Sequence, residues 1–516
     1  MSLLNARWAL ALDAAWRLGP RLFTLALLGR GAWWHRMMAR ALPGFDPARA
    51  GTLNGPDIRP LWESHRWTEL PELPPGALAA AVERPLAAAP PYAGPLWLCG
   101  QEAAFRALHL AVAAALHGEA PPQPAMAALA RRIGANPAYA MAQDNNHPVS
   151  EAAGLLICGM ALADGRMARR GARRLDRAIL RLLDEGGGFA QPSPAYHRLL
   201  LDTVAVAEWL ARRSGGPTLT IQAQARMAAA TRRLHALACP DTGSVPRIGH
   251  QDGSCLADLS GCGPDDARGS LERAARLFCG ASAGWPGDRG CARLGIPVPA
   301  ALLEAPSCWS GGGLLGLRGG RLRAILRTGP LRFRPNHADL LHLDVWDGAL
   351  NLLRDGGTGA YNPAERWWLD HLQGTAAHNT VAFDGEDQMP RLGPFLFARW
   401  PRMTPDPGGA ALRDHRGRTH ARAVTPLPDG LRVEDRIGGP FAEAVLRWRL
   451  APGPWALGAD GVALGPHRLA LAADAPLRLT LAQGWESLAY GAVTSCPVLE
   501  ARVERACTIT TAIRHT

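Results

Sequence analysis

Residues Arg334–Gln388 read RPNHADLLHLDVWDGALNLLRDGGTGAYNPAERWWLDHLQGTAAHNTVAFDGEDQ. Leu341, Leu343 and Val345 alternate with His342, Asp344 and Trp346, the two-residue period of a strand. Asp347-Gly348 then offers a two-residue hairpin turn, and ALNLLRD returns. That register sets Asp355 opposite Leu340, so His337 and Asp355 share the open end of one hairpin. Their side-chain parity differs, and they converge only if His337 lies in the loop before the strand. Histidines, carboxylates, an amide and Tyr361, one of five tyrosines in the chain, all fall here. A sandwich core needs none of these groups, so the stretch binds something or reacts with it.

Outward from this stretch the two flanks differ. C-terminal to about Pro306 the chain alternates in short runs such as LLGLRGGRLRAILRTG, AVLRWRLAPG and ACTITTAIRH, punctuated by Gly and Pro, which predicts an antiparallel β-sandwich. On the N-terminal side, Phe105, Leu108, Val112 and Leu116 recur at helical spacing. Further helical patterns fall at about 126–133, 148–163, 167–183, 195–213, 221–238 and 270–278, separated by Gly or Pro clusters. The expected fold is multidomain α + β: an N-terminal incomplete (α/α) toroid followed by a C-terminal antiparallel β-sandwich. The expected domains are a Pro/Gly-rich lead-in with an amphipathic helix (1–97), the toroid (98–300) and the sandwich (301–516).

Composition restricts the function classes. At 516 residues and 47% hydrophobic, the chain is long enough for two folded domains and too apolar for extensive disorder. Net charge is +11, and no lysine occurs, so all 56 basic residues are arginines. Their planar forks suit carboxylate, sulfate and phosphate, and nothing in their pattern suggests a nucleic-acid motif. Ten scattered cysteines without a CxxC pair imply neither a zinc ribbon nor a disulfide framework. Near the N-terminus, Asp13, Arg17 and Arg21 interrupt the apolar run before it could span a bilayer, and no clear signal peptide is read. An amphipathic helix lying on the protein or on a membrane surface is expected there, with packing on the protein favoured. The absent signal favours the cytoplasm, whereas a polymeric substrate would favour the periplasm.

Polar groups crowd three loops. Gln143-Asp144-Asn145-Asn146-His147-Pro148 precedes a helix, with Ser150 and Glu151 following; this is either helix capping or an anion site at a helix N-terminus. Gln191–Arg198 places Tyr196 beside His197 and Arg198 in a proline-defined loop, and Pro246–Gly253 carries Arg247, His250 and Asp252. In the opening stretch, His337, Asp355 and His378 are N and O donors of the kind a zinc site uses, and two histidines with one carboxylate would leave a coordination position open.

Taken in order, YAMAQDNNHPVSEAAGLLICG, GGFAQPSPAYHRLLLDTVAVAEWL, PRIGHQDGS, NHADLLHLDVW, LLRDGGTGAYN and TAAHNTVAFDGEDQ resemble the heparinase II/III family of polysaccharide lyases and their alginate-lyase relatives. The resemblance runs from about Gln101 to the C-terminus and weakens after about Trp400. It implies an incomplete toroid with a sandwich, a cleft between them, and β-elimination on a uronate-containing acidic polysaccharide. Asn146 and His147 then match the groups that neutralise the uronate carboxylate, with Arg247 and His250 as helpers and Arg198 binding substrate. Tyr196 matches the catalytic tyrosine that protonates the departing oxygen and, in a syn geometry, also serves as base, with His197, Arg198 and the surrounding arginines expected to supply positive charge that lowers its pKa; Tyr361 falls near a second tyrosine. His337, Asp355 and His378 match ligands of one divalent ion, usually read as zinc and mainly structural. One departure stands out: many members carry a histidine base two residues before His337, and here that residue is Pro335.

Two other readings stay open. A non-catalytic acidic-polysaccharide-binding or assembly protein would keep the cleft without the base. A glycoside hydrolase would need two acids across the cleft, and Asp144 and Glu151 are the candidates.

Overall fold

The computed structural model describes residues 3–21, 32–45, 57–332, 334–393 and 395–516. The helical half is built from Gly100–His117, Gln123–Ala135, Asn146–Ala161, Gly165–Leu182, Pro194–Arg213, Ile221–Leu237 and Arg268–Ala274. These follow the sequence periodicities to within a few residues. Asn146–Ala161 is the hub, packing against Gly100–His117, Gly165–Leu182 and Pro194–Arg213. Its glycines explain how closely. A Cβ at Gly154 would lie 2.6 Å from Ala104 Cβ, and one at Gly171 would lie 2.3 Å from the Leu156 nitrogen. Any side chain there would push the helices apart.

Among the described residues the sandwich half is built on three larger sheets, beside a two-stranded one at 391–393 and 396–397. An eight-stranded antiparallel sheet runs in spatial order 402–406, 409–413, 419–427, 430–438, 507–515, 467–473, 461–464, 456–457. A four-stranded sheet orders 478–486, 494–503, 444–449 and 381–383, and a five-stranded sheet meanders through 309–311, 314–319, 322–327, 343–347 and 350–353. One core, including Leu343, Val345, Leu446, Trp448, Leu469 and Ile513, joins them.

Strand Leu343–Asp347 is buried at every position. Leu343 and Val345 face the sandwich core, while Trp346 packs on Leu237, Cys239 and Ile248 of the helical half. The alternation read in the sequence therefore separates two interfaces, not core from solvent. The hairpin register also differs from the expected one. Asp347 pairs with Leu350, Trp346 with Asn351 and Val345 with Leu353, with a bulge between the last two pairs. The turn residues are thus Gly348 and Ala349, with Gly348 at φ +52°. Strand structure begins only at Leu343, because Leu341 takes a left-handed φ of +62°. His337 consequently lies in the preceding loop, the condition under which it can meet Asp355.

The lead-in is more ordered than its Pro/Gly content suggests, with helices at Leu3–Leu18, Ala32–Ala41, Arg59–Glu63 and Leu78–Ala88. In the first, Ala14 and Leu18 are buried, but Trp8, Leu12 and Trp16 remain largely exposed. Expected packing on the protein holds for one face only, and part of the expected amphipathic segment (22–31) lies outside the described residues. No described helix is long and apolar enough to cross a membrane.

Candidate active site and metal centre

A cavity of about 570 Å³ lies where the lead-in, the helical half and the sandwich meet. Asn146, His147, Tyr196, His250, Pro335 and Tyr361 all line it. The helix that carries the first two is capped by Asn145, whose Oδ1 accepts from the His147 N–H at 3.1 Å. Capping therefore falls on Asn145 and leaves the amide of Asn146 for the cavity. Ser193 likewise caps Pro194–Arg213 through the Tyr196 N–H at 3.2 Å, which puts Tyr196 on the first turn.

The two tyrosines meet across the domain boundary, their hydroxyls 2.8 Å apart. Tyr196 O–H also donates to Asp252 Oδ2 at 2.6 Å. Burial pushes the Tyr196 phenol well above its usual pKa, and the Asp252 charge adds to this despite Arg59 opposing it. Tyr361 is raised well above the usual value for the same two reasons. Both phenols thus hold their protons at neutral pH. The expected activation of Tyr196 by His197 and Arg198 does not occur. His197 Nε2 binds the Ala230 carbonyl at 2.9 Å, and burial lowers its pKa to about 4, so it is uncharged. Arg198 turns away to Ser270 Oγ and the Pro264 and Gly263 carbonyls and is not in the cavity wall. Arg247 is also absent from that wall; it is half-buried near Arg354, and burial followed by that charge lowers its pKa.

His250 sits inside the site. It is 2% exposed, with its ring 5.2 Å from that of Tyr361, 5.1 Å from His337 and 4.9 Å from Phe395. The loop approaches closely because Gly249, at φ +70°, has no Cβ to meet the Pro192 carbonyl oxygen 2.4 Å away and Asn336 Nδ2 3.3 Å away. Burial first, then the charges of His337 and Arg334, lower its pKa well below 6.5, leaving a neutral imidazole whose Nε2 has no hydrogen-bond partner.

Other cavity groups carried no role in the sequence reading. Asp252, although part of the quoted loop, anchors Tyr196 and pairs with Arg59 at 3.1 Å. Arg334 lies over Phe395 at 5.4 Å, and among the described residues no carboxylate pairs with it. Asp57, from the lead-in, accepts from the Tyr361 and Asn362 N–H groups and from Tyr490 O–H. Spacing along the chain gives no signal for such distant partners. The two acids of the hydrolase reading both line the cavity but sit in different surroundings. Asp144 is engaged by Arg21 at 2.5 Å and Arg181 at 2.7 Å. Burial raises Glu151 to about 8, with His147 opposing.

His337, Asp355 and His378 come together beside the cavity, all buried, with candidate ligand atoms within 4.8 Å of one another. His378 Nδ1 lies 2.9 Å from Asp355 Oδ2. Both ring nitrogens of His337 and Nε2 of His378 are buried without a hydrogen-bond partner among the described residues. Orphaned nitrogens beside a carboxylate fit a divalent cation of the zinc type. His342 completes the surroundings. Its Nδ1 accepts from the Asn379 N–H at 2.9 Å, so Nε2 carries the proton and faces Asp355 and Asp344, 3.6 and 3.7 Å away. At these distances it makes no hydrogen bond to either carboxylate, and with its proton on Nε2 it is not itself a ligand.

Residues 308–496 match the family described as "Heparinase II/III-like, C-terminal". That match lies within the sandwich half. A comparison with curated proteins gives no match. Among solved structures, a heparinase III is similar over 95% of this chain and 77% of its own, with TM-score 0.63 and 14% identity. The heparan sulfate lyase HepC from Pedobacter heparinus is similar over 95% of this chain and 76% of its own, with TM-score 0.58 and 17% identity. At these identities the likeness concerns the fold: the toroid-plus-sandwich architecture expected from the sequence extends along nearly the whole chain.

Proposed function

We propose that this protein is a polysaccharide lyase that cleaves a uronate-containing acidic polysaccharide by β-elimination. The observation that carries the reading is the Tyr196–Tyr361 hydroxyl pair, 2.8 Å apart, in a cavity also lined by Asn146, His147 and His250. An elimination needs three things in one place. The carboxylate next to C5 must be neutralised, a base must take the C5 proton, and an acid must protonate the departing O4.

Asn146 and His147 supply donors for the carboxylate, and Arg334, which pairs with no carboxylate among the described residues, adds positive charge in the same cavity. Pro335 cannot act as base. The neutral imidazole of His250 takes that role here, since its Nε2 is unpartnered and its ring lies against Tyr361. As His250 accepts the C5 proton, the C5–H electrons form the C4=C5 double bond and the C4–O4 bond breaks. A protonated tyrosine hydroxyl donates to O4. Proton transfer from the imidazolium back to the tyrosinate restores the starting state. High phenol pKa values suit the acid role and oppose the base role that the sequence reading allowed Tyr196.

His337 and His378, with Asp355, would hold a divalent cation. When bound, it would supply a cross-link between the loop before the hairpin and the segment Thr375–Thr380. His337 in turn abuts His250, so the cross-link fixes the base from behind.

The test is a panel of alginate, glycosaminoglycans and bacterial acidic exopolysaccharides, followed by ultraviolet absorbance of unsaturated ends. Tyr196→Phe should abolish the signal at the same folded fraction. A polymer bound with no unsaturated ends formed would instead favour the non-catalytic binding protein.

A further inference from the structure

The lead-in ties the two walls of the cavity together beside the tyrosine pair. Asp57 Oδ2 accepts from the Tyr361 N–H at 3.1 Å, the Asn362 N–H at 3.2 Å and Tyr490 O–H, all on the sandwich wall. Two residues later, Arg59 donates to the Asp252 carbonyl at 2.7 Å and pairs with its carboxylate at 3.1 Å, on the helical wall. The strap therefore bridges the two walls beside the point where the Tyr196 and Tyr361 hydroxyls lie 2.8 Å apart.

This strap is built in. Arg59 is 6% exposed and lies 5.6 Å from the Tyr490 ring centroid. Downstream, the segment is fixed by Trp62 Nε1 donating to the Pro95 carbonyl at 2.9 Å and by two 2.7 Å bonds from Arg66 to Glu102. The strap also touches the groups directly behind both hydroxyls, since Asp252 accepts from Tyr196 and Asp57 from the Tyr361 backbone. A chain lying across the tyrosines would have to pass through it. The remaining volume, about 570 Å³, is that of a small-ligand pocket and suits a short oligosaccharide.

We propose, resting on the lyase reading above, that the Asp57–Arg59 strap makes the cleft a one-ended pocket, so the protein acts on polysaccharide chain ends and not within the chain. Asp57 is a positioning residue that closes the pocket.

The experiment follows product size against time, using the polymer that gives unsaturated ends in the panel. Chain-end action yields mono- or disaccharide-sized products from the first time points while the polymer keeps its length. Asp57→Ala and Tyr490→Phe, which cut the strap from the sandwich wall by different amounts, should each raise the share of longer oligomers at least several-fold. A ladder of intermediate sizes from the wild-type protein would overturn the proposal and leave the lyase reading standing. If no polymer yields unsaturated ends, that reading fails, and binding to size-fractionated alginate and heparan sulfate decides the pocket separately. One protein per chain at every length supports the one-ended pocket, and stoichiometry rising with length refutes it.

Discussion

Replacing His250 tests the assignment of the base directly. In His250→Ala the imidazole is lost from a position 2% exposed, bordered by the rings of Tyr361, His337 and Phe395. A positioned general base contributes roughly 10²- to 10⁴-fold, or about 2.7–5.4 kcal/mol of barrier. The carboxylate donors Asn146 and His147 remain, so the loss should fall on kcat with KM little changed. The vacated space opens onto the 570 Å³ cavity, so a small molecule can enter it. Added imidazole should therefore restore part of the rate, whereas pyrrole, of similar shape without a basic nitrogen, should not. Thermal unfolding of the variant must be measured alongside, because removing a buried ring costs roughly 2–5 kcal/mol. A kcat within tenfold of wild type in a folded variant would refute the assignment. So would equal rescue by both heterocycles.

Purified protein should contain about one zinc-type ion per chain by elemental analysis, and His378→Ala should lose it together with several degrees of Tm; metal-free protein that unfolds at the same temperature would refute the site. Acid should destabilise the fold between about pH 6.5 and 4, because burial lowers His109 and His197 each to about 4. Over that window the unfolded chain binds protons that the folded chain refuses, so stability falls as pH falls, by up to about 3 kcal/mol for each group. Circular dichroism melts at stepped pH measure this, and a Tm unchanged from pH 7 to 4.5 would contradict the burial of both imidazoles.

How much of this was legible in the sequence depends on the range of the interaction. Helix positions followed from local periodicity, and the toroid-then-sandwich order from the switch between two periods near Pro306. Asn146, His147, Tyr196, Tyr361 and His250 were legible as polar groups out of place in loops, and the structure gathers them in one cavity. His337, Asp355 and His378 also converge, although the expected hairpin register was wrong. The bulge after Val345 and the left-handed Leu341 are responses to packing on two sides, which alternation alone does not encode. Arg198 was misread because sequence adjacency to Tyr196 says nothing of direction on a helix. Two positions later it faces the loop at Gly263 and Pro264.

The groups that sequence reading left out share one property: each acts through a partner far along the chain. Asp57 reaches Tyr361 and Tyr490, Arg59 reaches Asp252, and Arg334 meets Phe395 from the far side of the hairpin and the Arg366–Leu372 helix. This explains why the lead-in, the least regular part of the sequence, matters at the site. A lyase with its base at Pro335 would carry that group on the sandwich side. Here Pro335 leaves the imidazole to come from the helical side, on the Pro246–Gly253 loop. That loop must then be held against the sandwich. Thr358 Oγ1 accepts from the Gln251 N–H at 2.7 Å, and Arg59 binds Asp252 from the other side. The same Arg59–Asp252 pair that narrows the cleft thus also steadies the loop carrying His250 and the carboxylate under Tyr196. Chain-end access and base placement are consequences of one short segment, and substitutions at Arg59 should disturb both together.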